Sequence, residues 1–338
     1  MKNKEGLVFV GLDVHQDSIQ VCIINAEGRS LFNRRMDNEV RPLIAAIRRF
    51  GDDVRIGLEA CGGTAALADE LIQATGWSVQ LTHAGYAQRM RQNPDKSDFS
   101  DAFLLADLVR VGYLPRVWLA PASLRDLRHL VHYRQQLVDL NRNVKLRIRA
   151  LLREHRVRAP KSLWSGVGRK WLVENVSLPI HARWVLERHV NELQRLSKAL
   201  AETGSRMERI AEEDPVMQRL MTHRGIGLVT AVIFRAQVGD VGRFGSGKQL
   251  ARFCGLSPCN ASSGSRQADA GLIRGCSKLL RATLIEAAHR LTIQDAGWKA
   301  FKQRMRQNGK PGGVIAAAVA NRWIRRLYHE LKPGLAAA

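Results

Sequence analysis

Three short runs rich in β-branched and aromatic residues follow one another near the start of the chain: LVFVGLD (7–13), IQVCII (19–24) and SLFNRRM after the turn signal Asn25–Gly28. Separated by only a few polar residues, they predict a three-strand antiparallel meander. The period then alternates. A helical stretch at Val40–Phe50 leads to a fourth strand, VRIGLEA (54–60), a helix from Gly62 and Gly63 through Thr75, and a fifth strand, WSVQLTH (77–83). Asp13 stands at the end of the first strand and Glu59 at the end of the fourth. After Ala84–Gln92 comes NPDKSDFSDAFLLAD (93–107), where a helical pattern begins among acids. Asp98 and Asp101, three apart at that helix start, project from one face and can converge on a single cation. The plain structural alternative is an N-cap at Asp98 and a first-turn acid at Asp101 that complements the helix dipole.

A meander extended by alternating helices and strands is the RNase H-like order, an α/β arrangement in which parallel strands continue the antiparallel ones. In such a sheet the ends of the first and fourth strands are neighbours, and a later helix adds further carboxylates. Asp13, Glu59, Asp98 and Asp101 are therefore expected to form one cluster, which would repel itself unless it held cations. Two Mg²⁺ ions about 4 Å apart, clamping the attacking and leaving oxygens of a phosphodiester, are the chemistry such a site supports; Mn²⁺ is a workable substitute.

Charge narrows the partners. A net charge of +22 and a pI near 10.7 point to a polyanion, with nucleic acid the first candidate. No run of about 18 apolar residues is present, and MKNKEGLVFVGLDVH lacks the features of a signal peptide. A cytoplasmic, nucleoid-associated protein with no membrane partner is expected. The five cysteines form no C-x-x-C pair, so neither a disulfide framework nor a zinc knuckle is indicated.

From Ser123 apolar residues recur mostly at three and four (Leu124, Leu127, Val131, Leu137, Leu140, Val144, Ile148, Leu151), predicting one long amphipathic helix to about His155. A second runs from about His181 to Glu213, and the two are expected to form an antiparallel or intermolecular coiled coil. Arg142, Lys145, Arg147, Arg149, Arg153, Arg156 and Arg158 crowd the end of the first helix, more cations than a solvated face requires, so a phosphate-tracking surface is expected. Pro215 ends the second helix and opens a small all-α C-terminal domain. The expected division is thus 1–118, 119–214 and 215–338.

Within that last domain, Gly225-Ile226-Gly227 separates two helical patterns, as in a helix-hairpin-helix, whose Gly225 and Gly227 amides can meet a phosphate. Between helices at Ser246–Phe253 and Ser277–Leu291 lies Pro258–Gly275, rich in Ser, Gly and Arg. Ser262, Ser263 and Ser265, with Arg266 and Arg274 nearby, offer a hydroxyl flanked by guanidiniums that suits attack on phosphorus; the alternative is a flexible linker. A basic helix and a final amphipathic helix close the chain.

Taken together, GLDVHQ, LEACGG, KSDFSDA, RGIG…RF…LARFCGLSP, SSGSR and NGKPGGVIAAAVANRWI resemble the DEDD transposases of bacterial insertion sequences, recombinases guided by a bridge RNA. The resemblance implies a Holliday-junction-resolvase-like N-terminal domain, a coiled-coil middle, and a C-terminal domain with a nucleophilic serine. It assigns the four acids to Asp13, Glu59, Asp98 and Asp101 and the nucleophile to Ser263, with Ser262 the runner-up in the doublet. It also implies Mg²⁺ held by the acids, a phosphoserine-linked strand, donor and target DNA duplexes, a bridge RNA and a homo-oligomer, dimer or tetramer. Two positions depart from the family pattern: Arg274-Gly275-Cys276 replaces a usual Lys-x-Gly, and Arg224 replaces a usual proline. Two other readings stay open, a resolvase that activates water and a non-catalytic nucleic-acid scaffold.

Overall fold

The computed structural model describes residues 5–87, 90, 97–261 and 269–332. Two compact units divide the chain, one ending at Ala122 and the other starting at Ser123.

In the first unit, β1 (Glu5–Val14), β2 (Ser18–Ile24) and β3 (Ser30–Asp37) form the meander. After α1 (Val40–Ile47), β4 (Gly51–Glu59) pairs parallel to β1; after α2 (Thr64–Thr75), β5 (Ser78–Thr82) pairs parallel to β4. A short α3 (Ala84–Ala87), then α4 (Asp98–Arg110), precede β6 (Arg116–Val117), which pairs antiparallel with β5. The order β3-β2-β1-β4-β5-β6 is the mixed RNase H-like sheet. β6 had no sequence signal of its own; two residues are too few to show a period.

Strand alternation sorts the two faces. Val8, Val10 and Leu12 of β1 and Val54, Ile56 and Leu58 of β4 point to one side, where α1 and α2 bring Leu43, Ile47, Leu67, Ala68 and Leu71. Phe9, Cys22 and Ile24 point to the other, against Ala102, Leu105, Ala106 and Val109 of α4. Each fully buried Leu, Ile or Val contributes roughly 1.5–3 kcal/mol, so both helix layers are firmly held. On the α4 side, glycines replace bulk. A Cβ on Gly11 would lie 1.9 Å from the Ala102 carbonyl oxygen, and one on Gly57 2.5 Å from Val109 Cγ2. The missing side chains let the α4 backbone lie directly on the sheet.

The second unit begins with α5 (Ala122–Glu154), α6 (Gly166–Glu174) and α7 (Ile180–Glu213). Leu137, Val144, Ile148 and Leu152 of α5 share one core with Leu172 of α6 and Leu186, Val190, Leu193 and Leu196 of α7. Leu140 falls outside this stripe and is half exposed. Asp214 ends α7 and caps α8 (Pro215–Met221), accepting from the Val216 and Met217 amides at 2.8 and 3.0 Å while pairing with Arg235 at 2.7 Å. Then follow α9 (Leu228–Val238), a single 3₁₀ turn (Val241–Arg243) and α10 (Gly247–Phe253). A two-stranded ribbon, β7 (Pro258–Asn260) and β8 (Asp269–Leu272), comes next. α11 (Lys278–Gln294), α12 (Ala296–Gln307) and α13 (Gly312–Leu331) complete it. The expected helical domain is present, with the ribbon added where the Ser/Gly/Arg-rich segment read as loop. Short strands with few apolar residues give no alternation to read.

Candidate metal centre and nucleic-acid contacts

The acids meet where α4 crosses the ends of β1 and β4. Asp13 shares its face of β1 with Gly11, and Glu59 shares its face of β4 with Gly57. The parallel register pairs Leu12 with Leu58, so the next residue along each strand, Asp13 and Glu59, lies side by side. α4 arrives with its first turn over this edge. Ser97, not Asp98, is its N-cap: the Ser97 side chain accepts from the Ser100 amide, and the Ser100 side chain accepts from the Ser97 amide, both at 3.2 Å. The capping alternative for Asp98 is thereby set aside, and its carboxylate is directed elsewhere. Asn33 of β3 donates to the Phe99 carbonyl at 3.1 Å, and Arg110 pairs with Asp107 and donates to the Ala26 carbonyl, so both ends of α4 are tied to the meander.

Asp98 Oδ2 and Asp13 Oδ2 both lie 3.4 Å from His15 Nε2. One ligand atom from each of the three residues falls within a 4.8 Å group. Asp13 is largely covered, with 18% of its side chain exposed against 47% for Asp98. Burial pushes the Asp13 carboxyl above its ordinary value; His15 pulls it down, and the charges of Asp98 and Asp101 push it up. The same crowding reaches Cys61, whose thiol is raised by burial and further by Glu59 and Asp13, against a lowering hydrogen bond with Thr64. Asp101 and Glu59 therefore lie within electrostatic reach of the same spot. An oxygen-rich set gathered around a carboxyl that burial, and then neighbouring acids, push upward fits a hard divalent cation.

His15 was not among the residues singled out from the sequence as ligands. Its signal was its place two residues beyond Asp13, which keeps it on the same side of an extended strand.

A thermal consequence follows. Because Asp13 is raised, the folded state disfavours its ionised form. Asp13's own contribution to stability is fully present below the ordinary value of 3.8, is lost as pH climbs through the raised value, and is a cost at neutral pH. Added Mg²⁺ or Mn²⁺ is expected to raise the melting temperature at pH 7. Asp13→Asn is expected to melt higher than wild type without cation and to respond less to it. A scan of melting temperature against cation at pH 7 and pH 4 checks both.

Of the cations on the long helix, Arg142, Arg147, Arg149, Arg153, Arg156 and Arg158 are exposed and Lys145 is half-buried. Arg142 pairs with Asp139 at 3.5 Å. Gly225 has φ +84 in the turn before α9, and a Cβ there would lie 2.9 Å from Leu291 Cγ of α11; its carbonyl accepts from Arg290. The glycine thus has a packing reason as well as a turn reason. Gly227 is the N-cap of α9. Arg274 is exposed just beyond β8. Ser262, Ser263, Ser265 and Arg266 lie outside the described residues. Among the described residues no helix is long and apolar enough to cross a membrane.

A DEDD-type transposase model matches residues 10–157, and the model of the "Transposase IS116/IS110/IS902 family" matches residues 217–305. The "Transposase for insertion sequence element IS1111A" of Coxiella burnetii is 26% identical over 293 residues, covering 86% of this chain and 79% of that protein. The "Putative transposase y4qE" of Sinorhizobium fredii is 27% identical, covering 92% and 85%. The "Transposase for insertion sequence element IS1328" of Yersinia enterocolitica is 22% identical, covering 94% and 95%. Both matched models are of IS110-type transposases, so the chain is similar to that family in its N-terminal and its C-terminal part.

Proposed function

We propose that this protein is a transposase that cleaves and exchanges the strands of an insertion sequence under the guidance of a bridge RNA, using metal-held carboxylates and a serine nucleophile. The observation that carries the reading is the meeting of Asp13 and Asp98 about His15, at the edge where the register also brings Glu59. Asp13, Glu59, Asp98 and Asp101 would hold the cations, two Mg²⁺ per site with Mn²⁺ able to substitute. Bound there, the ions supply Lewis-acid polarisation of phosphodiester oxygens. The chain's own residues do the rest. The four acids would hold the ions at that strand edge, and His15 keeps Asp13 and Asp98 facing each other.

Ser263 Oγ forms the new bond to phosphorus as the bond from phosphorus to one flanking sugar oxygen breaks; the serine proton leaves and the freed sugar oxygen gains one. A second strand end then reverses the step. Gly225, Gly227, Arg266, Arg274 and the basic end of α5 hold backbone phosphates of DNA or RNA. The net charge of +22 suits two nucleic acids bound together, with base pairing reading sequence and the protein reading backbone and shape. In this reading 1–118 is the catalytic domain, 215–338 supplies the serine, and 119–214 assembles a homo-oligomer through its long helices. Action on DNA places it in the cytoplasm, at the nucleoid.

Trapping the covalent intermediate tests the proposal. Protein incubated with Mg²⁺, its co-purified RNA and DNA carrying the element's ends is expected to give a denaturant-stable protein–DNA adduct, absent in Ser263→Ala. If strand exchange ran at the normal rate in Ser262→Ala/Ser263→Ala, the nucleophile would be water and the resolvase reading would replace this one.

A further inference from the structure

The end of α5 carries an anomaly that the helix itself does not require. Its last turn closes as a Schellman motif: the Val157 amide donates to the Leu152 carbonyl at 2.8 Å and the Arg156 amide to the Arg153 carbonyl at 3.0 Å. The residue that must be left-handed is Arg156, at φ +57, the one non-glycine with positive φ among the described residues. Just past α2, α4, α10 and α12 this chain places glycine in that conformation: Gly76, Gly112, Gly255 and Gly309, at φ 70 to 72. A β-carbon is strained there, so an arginine kept at such a stop points to a use for its side chain.

That side chain lines a recess of about 550 Å³ with Arg149, Arg153, Arg158 and Lys161. Leu152 and Leu163, both buried, form its floor. The wall beyond the helix is held in place by Gly168 of α6, which lies so close that a Cβ would sit 2.3 Å from the Ser162 carbonyl oxygen. None of the five cations forms an ion pair with a described carboxylate. Arg149 is steadied instead over the Trp164 ring at 5.6 Å, with Lys145 over the same ring at 5.5 Å. A helix C-terminus does favour cations, which accounts for Arg153 in the last turn. It accounts for neither Arg158 and Lys161, which lie past the helix, nor the left-handed Arg156. Like charges in a concave site focus their field on an anion, and the planar donors of guanidinium match phosphate oxygens in pairs.

We propose that this recess is a discrete phosphate-binding site that grips the sugar-phosphate backbone of a nucleic-acid strand, separate from the acidic centre. It rests on the nucleic-acid reading above, but needs no cleavage to be observed.

The test uses the full-length protein without divalent cation, with a labelled DNA duplex and a labelled RNA hairpin of matching sequence as probes. Arg156→Gly removes the cation and the backbone strain together. It is expected to melt about 2–4 °C higher while binding about tenfold more weakly, because a charged hydrogen bond to phosphate is lost. The slope of log K against log salt should shrink by about one. Loss on both probes, on RNA alone or on DNA alone supports the site and identifies the strand it holds. Wild-type affinity and slope on both probes overturn it. Should Arg156→Gly melt lower than wild type, Arg158→Gln/Lys161→Gln, outside any helix, decides by the same two readings. Because binding is read without cation, loss of strand exchange in the Ser263 experiment and failure here are separate results.

Discussion

Asp98→Asn is expected to lower DNA cleavage and strand exchange on the order of 10³-fold while the fold stays in place. The two effects separate because Asp98 has little structural work to do. Ser97 caps α4 through the reciprocal pair with Ser100, so losing the Asp98 charge removes a first-turn interaction with the helix dipole, about 0.3–1 kcal/mol, and weakens a half-exposed contact with His15. Its chemical role is different in size. Electrophilic stabilisation by a bound cation is worth several kcal/mol, and about 1.4 kcal/mol is tenfold in rate. Asp13→Asn should match the loss in activity but, as argued from its raised carboxyl, should not lower stability in the absence of cation. Single-turnover cleavage with saturating Mg²⁺, alongside a thermal melt, measures both. Cleavage near the wild-type rate in either variant would remove that carboxylate from the reaction.

Gly11→Ala is the second large effect, and it works entirely through geometry. The new methyl would sit 1.9 Å from the Ala102 carbonyl oxygen and 2.6 Å from the Ala106 nitrogen, both backbone atoms inside α4. No rotamer relieves that contact, so the helix must lift from the sheet by more than an ångström. Overpacking of this kind costs about 1–3 kcal/mol, and here the upper end is expected. Lifting α4 also carries Asp98 and Asp101 away from Asp13 and Glu59, and a misplacement of about 1 Å costs on the order of 10²-fold in rate. Gly57→Ala is the internal control: its nearest neighbour is Val109 Cγ2, a side-chain methyl at 2.5 Å, which can partly yield. A melt and a cleavage assay of the two variants should therefore rank Gly11→Ala below Gly57→Ala on both axes. If Gly11→Ala melted and cleaved like wild type, the close seat of α4 would not be what positions the acids.

These two variants also show how much of the site was legible beforehand. The meander, the parallel extension and the acids at strand ends could be read because alternation of period two is local, and because few connections join such elements without crossing. Asp13 and Glu59 were assigned together on that basis, and the register that pairs Leu12 with Leu58 sets them side by side. For Asp98 the residues alone left two roles open, cap or ligand. Ser97 lies one residue earlier and is equally a capping type, so only the hydrogen bonds of the folded turn decided between them.

The three-and-four recurrence of apolar residues was enough to predict both long helices to within a residue or two of Ala122–Glu154 and Ile180–Glu213. The position of each apolar residue around the helix was not. Leu140 fits the three-and-four spacing yet stays half exposed, because the shared core with α6 and α7 covers a narrower stripe than the spacing allows. The left-handed Arg156 was likewise invisible among seven basic residues: nothing local separates a cation on a helix face from one that ends the helix.

By itself, then, the sequence determined the order of strands and helices, the placing of Asp13 and Glu59 at neighbouring strand ends, the strong positive charge and the likeness to one family. All of these rest on patterns carried within a few residues or on motifs in a line. Only the tertiary structure decided that His15 stands between Asp13 and Asp98, that Gly11 and Gly57 make the seat for α4, and that five cations close around one recess. Those are meetings of residues distant in the chain or turned by a single backbone angle, and they exist only once burial has fixed the register and the helix position.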